Sequence, residues 1–276
     1  MAAYKRKILG SLLSAFTSLI PPKKGIVVIT LHNIPSHHYE WFEHFISHLN
    51  ENYQIINPFE FNLNKQIDKS SPQVMLTFDD GFYSNRKLAE KVLSRYGIKG
   101  IFFITEDFIG TKKPLEFIHE RFYPNTKPVI VNEGDFAPMS WDDVKWIIND
   151  GHMIGAHTKT HPLLTSIKNQ EKIYDEIITS SDRMEKMINS DISCFAIPFG
   201  TVNSVNKDIL QAASNRYDFI FSNVRGNIHE SPSRSFIFRQ NIVPGDPLSL
   251  IDIMISGHLD WRYRKVRNNA ICKFSL

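Results

Sequence analysis

The chain of 276 residues is 42% hydrophobic and carries 32 basic against 29 acidic residues, a formal net charge of +3. That is enough apolar material to bury a large core, as one α/β domain of barrel size or as two smaller ones. Two cysteines, Cys194 and Cys272, exclude a disulfide framework and a cysteine-built zinc site. The charge is unevenly spread. Residues 1–24 hold Lys5, Arg6, Lys7, Lys23 and Lys24, residues 261–276 hold Arg262, Arg264, Lys265, Arg267 and Lys273, and neither stretch has an acid. Removing those ten of 32 leaves 22 basic residues against 29 acids, a mildly acidic body with two basic ends, which argues against nucleic acid as a partner.

Lys5-Arg6-Lys7 followed by the apolar stretch 8–20 mimics a secretory signal, but no small-x-small cleavage site precedes Pro21-Pro22. The stretch is also too short and too rich in Ser and Thr to span a bilayer. Ile8, Leu9, Leu12, Leu13, Phe16, Leu19 and Ile20 fall on one helical face, and Gly10, Ser11, Ser14, Thr17 and Ser18 on the other. An amphipathic helix with lysines at both ends suits an anionic membrane surface. The alternatives are a helix packed on the protein's own body and an uncleaved signal. Free cysteines and the missing cleavage site favour the cytoplasmic over the periplasmic face.

Thereafter the pattern alternates. Residues 26–31 read as a strand ending at His32-Asn33, 39–50 as a helix, and 53–56 as a short strand. The run Val74-Met75-Leu76-Thr77-Phe78 is a buried strand that stops at Asp79-Asp80-Gly81. A helix over 85–96 is stopped by Gly97, and 100–105 is another strand. Residues 106–138 are irregular and long for a plain connection, which suggests a lid or substrate-binding insertion. Ser140 caps a helix that ends at Gly151. Strands at 152–156, 192–196 and 218–221 then alternate with helices at 168–189, 203–215 and 248–256. The repeated alternation predicts parallel strands wrapped by helices. The domains are a surface helix at 1–24, a catalytic domain at 25–260 and a basic tail at 261–276.

Two features carry chemistry. Asp79 and Asp80 sit at a strand end, where α/β folds place their sites, and two adjacent carboxylates need a metal, a cation or water to hold them. On a regular strand their side chains diverge, so one could face a metal and the other substrate. His157-Thr158-Lys159-Thr160-His161 follows another strand and is closed by Pro162. Two imidazoles four apart with one carboxylate make a facial ligand set with open positions, the arrangement of catalytic rather than structural zinc.

Thr77-Phe78-Asp79-Asp80-Gly81, His157-Thr158-Lys159-Thr160-His161 and Phe195-Ala196-Ile197-Pro198-Phe199-Gly200 resemble, in order and placement, the first three motifs of the polysaccharide deacetylases. These are the chitooligosaccharide-deacetylase-like carbohydrate esterases. The resemblance covers roughly residues 26–245. It implies a distorted (β/α) barrel of about seven strands, Asp79 as general base, and Asp80, His157 and His161 as ligands of a divalent metal, zinc foremost. It also implies an oxyanion donor in the backbone N–H of Phe199.

The chain departs from the family pattern twice. The third motif usually begins with an Arg that orients the base; Ala196 stands there, and Arg239 could supply a guanidinium from elsewhere or be an ordinary surface residue. The last motif usually supplies an acid from Leu-x-x-His, which Ile255-Ser256-Gly257-His258 matches loosely. Ile29-Thr30-Leu31-His32 resembles the first-strand His of the circularly permuted poly-N-acetylglucosamine deacetylases, which makes His32 the stronger candidate for the acid. The expected substrate is an N-acetyl amino sugar of a membrane-associated or lipid-linked glycan. A lipid-linked formamido sugar and a silent carbohydrate-binding role are the alternatives.

Overall fold

The structure, a computed structural model, describes residues 25–61, 72–124 and 132–275. The amphipathic stretch expected at 1–24 lies outside them. Among the described residues eight strands are all parallel: β1 Gly25–Leu31, β2 Gln54–Ile55, β3 Pro72–Phe78, β4 Gly100–Ile104, β5 Met153–Ala156, β6 Cys194–Ala196, β7 Phe219–Phe221 and β8 Gln240–Asn241. Their order is β7-β6-β5-β4-β3-β1-β8, with β2 beside the start of β3. Gln240 and Asn241 pair with Ile29 and Thr30 of β1, while Ile237 bridges Phe221 of β7. The segment 237–241 therefore touches both edges and curls the sheet into the expected distorted barrel.

Because successive strand residues face opposite sides, these strands divide between two packing layers. Ile26 and Val28, Met75, Ile101 and Phe103, Cys194 and Ala196, Phe221 and Ile237 fill the barrel interior. Val27, Ile29 and Leu31, Val74, Leu76 and Phe78, and Phe102 and Ile104 face the surrounding helices. Burial on both sides is why the strands read as unbroken apolar runs. The interior is tight: a Cβ on Gly155 would lie 2.4 Å from Phe103 Cδ1, so only glycine fits opposite that ring.

Helices cover the outside at Tyr39–Asn52, Trp141–Asn149, Lys207–Ser214 and Leu248–Ile255, and along the continuous helical stretches 83–96 and 170–188. Ser140 and Asp143 form a reciprocal capping box at the start of the third of these in the chain. The described residues of the irregular stretch expected at 106–138 form short helical pieces around a cluster of Phe82, Phe108, Ile118, Phe122 and Phe136. Within 261–276, a helix runs over Arg264–Phe274. Phe274 stacks on Phe236, Arg267 pairs with Glu230 and Asp260, and Lys273 donates to the carbonyls of Val202 and Val205.

Candidate active site and metal centre

The barrel interior ends at the C-terminal side in a polar layer. Thr77 follows Met75 inward and donates its hydroxyl to the Ile29 carbonyl at 2.8 Å. Asp79 is next on the same face and is buried. Arg239, inward on the segment that closes the barrel, meets it with two parallel bonds: Nη1 to Oδ1 and Nη2 to Oδ2, both 2.8 Å. The guanidinium also donates Nε to the Ser222 carbonyl and Nη1 to Thr77 Oγ1, and it lies over the Phe103 ring. It is only 1% exposed, which removes the reading of Arg239 as a surface residue. Burial alone would push the Asp79 pKa up. Arg239 first, then His157 and His32, overcome this and hold it at about 2.

Asp80 does not diverge from Asp79 as a regular strand residue would. Its φ of 78° turns the chain, so both carboxylates open into one cleft. Among the described non-glycine residues with positive φ are also Thr158, His161 and Phe199. Four such conformations at one strand-end cluster are local strain of the kind that concentrates at functional sites.

Asp80, His157 and His161 present ligand atoms within 4.8 Å of one another, and all three are buried. His157 Nε2 and His161 Nε2 lie 3.5 and 3.6 Å from the same oxygen, Asp80 Oδ1. The far side of each ring is fixed: His157 Nδ1 donates to the Ala196 carbonyl at 2.7 Å, and His161 Nδ1 to the Arg121 carbonyl at 3.2 Å. A carbonyl only accepts, so each Nδ1 carries the hydrogen and the neutral ring offers the Nε2 lone pair inward. This backing orients metal-bound imidazoles. Burial pushes the His161 pKa down to about 4, with the neighbouring His157 adding to the effect. For His157, burial is outweighed by Asp80 and Asp79, and the pKa is raised. Asp80 is held low despite burial by the two imidazoles and His32. Two imidazoles and one carboxylate converging from one side fit a divalent ion such as zinc.

His32, at the end of β1, lines the same cleft and puts Nε2 3.9 Å from Asp79 Oδ2. Phe199 lines it too, its ring 4.8 Å from that of His161. The turn there depends on Gly200: a Cβ would come within 2.3 Å of the Asn223 backbone nitrogen. His258 is not among the cleft-lining residues and is hydrogen-bonded to Ser256 beside its own helix. The cleft, about 630 Å³, also takes in Tyr123 from the insertion and Asn223 beyond β7. Sequence reasoning missed both. Asn223 could have been found by treating every strand end as a contributor; Tyr123 stands in a stretch with no readable pattern.

A family model described as polysaccharide deacetylase matches residues 66–217, more than half of the chain. YxkH of Bacillus subtilis (strain 168), named for the polysaccharide deacetylases, is 26% identical over 175 residues, which cover 62% of this chain and 53% of that protein. The chain spans between 39% and 53% of the curated relatives it matches. Among solved structures, a polysaccharide deacetylase from Bacillus cereus superposes with a TM-score of 0.65 at 18% identity, covering 85% of this chain and 69% of that one. The Streptococcus pyogenes deacetylase PplD, solved with acetate, gives 0.63 at 20% identity over 85% and 99%. These structural likenesses bear on the fold, and the matched span carries both the Asp79-Asp80 and the His157–His161 motifs. The chain belongs to the polysaccharide deacetylase family.

Proposed function

We propose that the protein is a metal-dependent hydrolase that removes the N-acetyl group from an amino sugar of a membrane-associated or lipid-linked glycan. The observation that carries the hydrolase reading is the convergence, in one cleft, of a paired carboxylate, a three-residue metal set and a second titratable group on neighbouring strand ends. Asp80, His157 and His161 would hold the ion, with zinc the choice for this donor set. When bound, such an ion polarises the acyl carbonyl and lowers the pKa of its water to about 7.

The chain's own groups divide the remaining work. Asp79 accepts the proton of the attacking water, and the Arg239 fork keeps it ionised and fixed in orientation. The Phe199 N–H, turned by positive φ at the cleft wall, donates to the oxyanion. His32, whose Nε2 lies 3.9 Å from Asp79 Oδ2, gives a proton to the departing amine. The early strand that carries His32 and the displaced Arg239, both outside the matched span, support placement near the permuted branch.

Location is part of the same proposal, peripheral at a membrane and on the cytoplasmic face. Among the described residues no helix is long and apolar enough to cross a bilayer. Trp261, 71% exposed, stands with exposed Arg262, Arg264 and Lys265 at the start of the C-terminal helix, a surface suited to anionic lipid. The deciding experiment measures zinc content and amide hydrolysis on N-acetyl and N-formyl lipid-linked sugars and on N-acetylated polymers. Turnover of the lipid-linked N-acetyl substrate above polymer is expected. Polymer preference removes the lipid-linked substrate, N-formyl preference makes the chain a deformylase, and stoichiometric zinc without turnover makes it a silent binder.

A further inference from the structure

The loop between the two histidine ligands is held in a strained turn, with positive φ at Thr158 and His161. Such a turn persists only where its surroundings over-determine it. The carbonyls of Thr158 and Lys159 accept from the N–H groups of Glu106 and Asp107, and the N–H groups and hydroxyl of Lys159-Thr160 are braced by one side chain. Glu176 Oε2 accepts from the backbone N–H of Lys159 at 3.0 Å and of Thr160 at 2.9 Å, and Oε1 accepts the Thr160 hydroxyl at 2.6 Å. Its own carbonyl accepts the Lys159 N–H as well, together with Ser180 Oγ. Glu176 is 9% exposed, and the short segment Asp175–Thr179 around it is a π-helical turn within the helical stretch 170–188. π-bulges of this kind recur at functional sites. The helix is itself anchored, since Arg183 makes a bidentate pair with Glu106 and reaches Asp175, which also takes the Lys159 ammonium.

We infer that Glu176 is a positioning residue for the metal centre: its carboxylate clamps the backbone between His157 and His161 and sets the spacing of their Nε2 atoms. Geometry favours this over a role in general stability. The carboxylate bonds to the loop and to no substrate-facing atom, and each of its oxygens is used within the stretch Lys159-Thr160. The role is that of an acceptor rather than of a charge. An amide oxygen can take both N–H groups, and an amide NH₂ can donate to Thr160 Oγ1, because a hydroxyl accepts as readily as it donates.

The inference rests on the metal reading of Asp80, His157 and His161, and the test separates the two. Zn²⁺ affinity is measured by competition with a chromophoric chelator, and the visible spectrum of the Co²⁺ form is recorded, for the full chain and for Glu176→Ala, Glu176→Gln and Thr160→Val. Glu176→Ala is expected to weaken Zn²⁺ by about 10- to 100-fold, the usual effect of losing an outer-shell support, and to alter the Co²⁺ spectrum. Glu176→Gln restores both, and Thr160→Val, which keeps the two N–H bonds, shifts affinity in the same direction by less. A wild-type chain that binds no Zn²⁺ removes the metal reading and this role with it. Wild-type binding with unchanged affinity in Glu176→Ala overturns this role alone, as does equal loss in Glu176→Ala and Glu176→Gln. If Glu176→Ala does not fold, the other two variants decide: unchanged Zn²⁺ affinity and Co²⁺ spectrum in Thr160→Val overturn the clamp.

Discussion

Replacing Arg239 by Met keeps an unbranched side chain over Phe103 and removes the charge that faces Asp79. In the native protein the Asp79 pKa falls from 3.8 to about 2. A depressed carboxylate contributes stability that is present above its unfolded value and lost as pH falls through the folded one. That drop is worth roughly 2 kcal/mol. Without the guanidinium, burial dominates and the Asp79 pKa rises, so the sign reverses: the variant is penalised more as pH rises and the buried carboxyl is forced to ionise. Breaking a buried pair costs about 3–5 kcal/mol near neutral pH. Denaturant unfolding of both proteins, stripped of metal by a chelator, from about pH 3 to 8 measures this. The stability gap should be largest near neutrality and narrow toward acid, where Asp79 is protonated in either fold. Two parallel curves, with a gap independent of pH, would refute the pairing as the cause. Activity should fall with it, and its acid limb should move to higher pH, because more Asp79 is protonated at any given pH.

Other outcomes follow from the same geometry. His157→Ala should lose zinc by more than the roughly 10–100-fold that an outer-shell loss costs, with the fold retained by circular dichroism; stoichiometric metal in that variant would break the ligand assignment. His32→Ala should keep zinc and lose on the order of 10²–10⁴ in rate, while His258→Ala stays near native; the reverse pattern gives the acid role to His258. Gly155→Ala should cost about 1–3 kcal/mol by overpacking against Phe103, read in thermal unfolding. Anionic vesicles should pellet the full chain at physiological salt and release it when residues 1–24 are deleted, each cation near the surface contributing about 1 kcal/mol; equal pelleting of both would move the contact to the C-terminal helix.

What the sequence made legible follows from what local residues can encode. Strand runs such as Val74–Leu76 and the capped helix behind Ser140 were readable because burial on both faces and end-capping leave periodic marks. The grouping of His157 and His161 near Asp80 was readable because both histidines lie in one short motif after one strand. The facing of Asp80 was not: strand alternation predicts divergence from Asp79, and only a backbone turn with positive φ brings both into the cleft. Nor was the partner of Asp79 settled, since Arg239 is 160 residues away and is set by how the barrel closes. Glu176 left no trace at all, being one acid among several in a helical stretch.

The placement of Arg239 has a physical explanation in the layering of the barrel. Interior positions alternate along each strand, so Cys194 and Ala196 of β6 and Ile237 and Arg239 beyond β7 point into the same space. A guanidinium arriving from Ala196 or from position 239 would enter one polar layer, above Phe103 and beside Thr77. Ala196 brings only a methyl group into the interior, and its carbonyl is engaged in backing His157. Arg239 fills the space from the segment that pairs with both sheet edges, and its Nε bond to the Ser222 carbonyl ties that segment to β7. One residue thus orients Asp79 and pins the closure of the barrel. The two functions are separable: Arg239→Lys retains a cation near Asp79 but loses the two-pronged fork and the Ser222 bond. The Asp79 pKa should therefore recover in part in that variant, while orientation of the carboxylate, and with it the rate, should not.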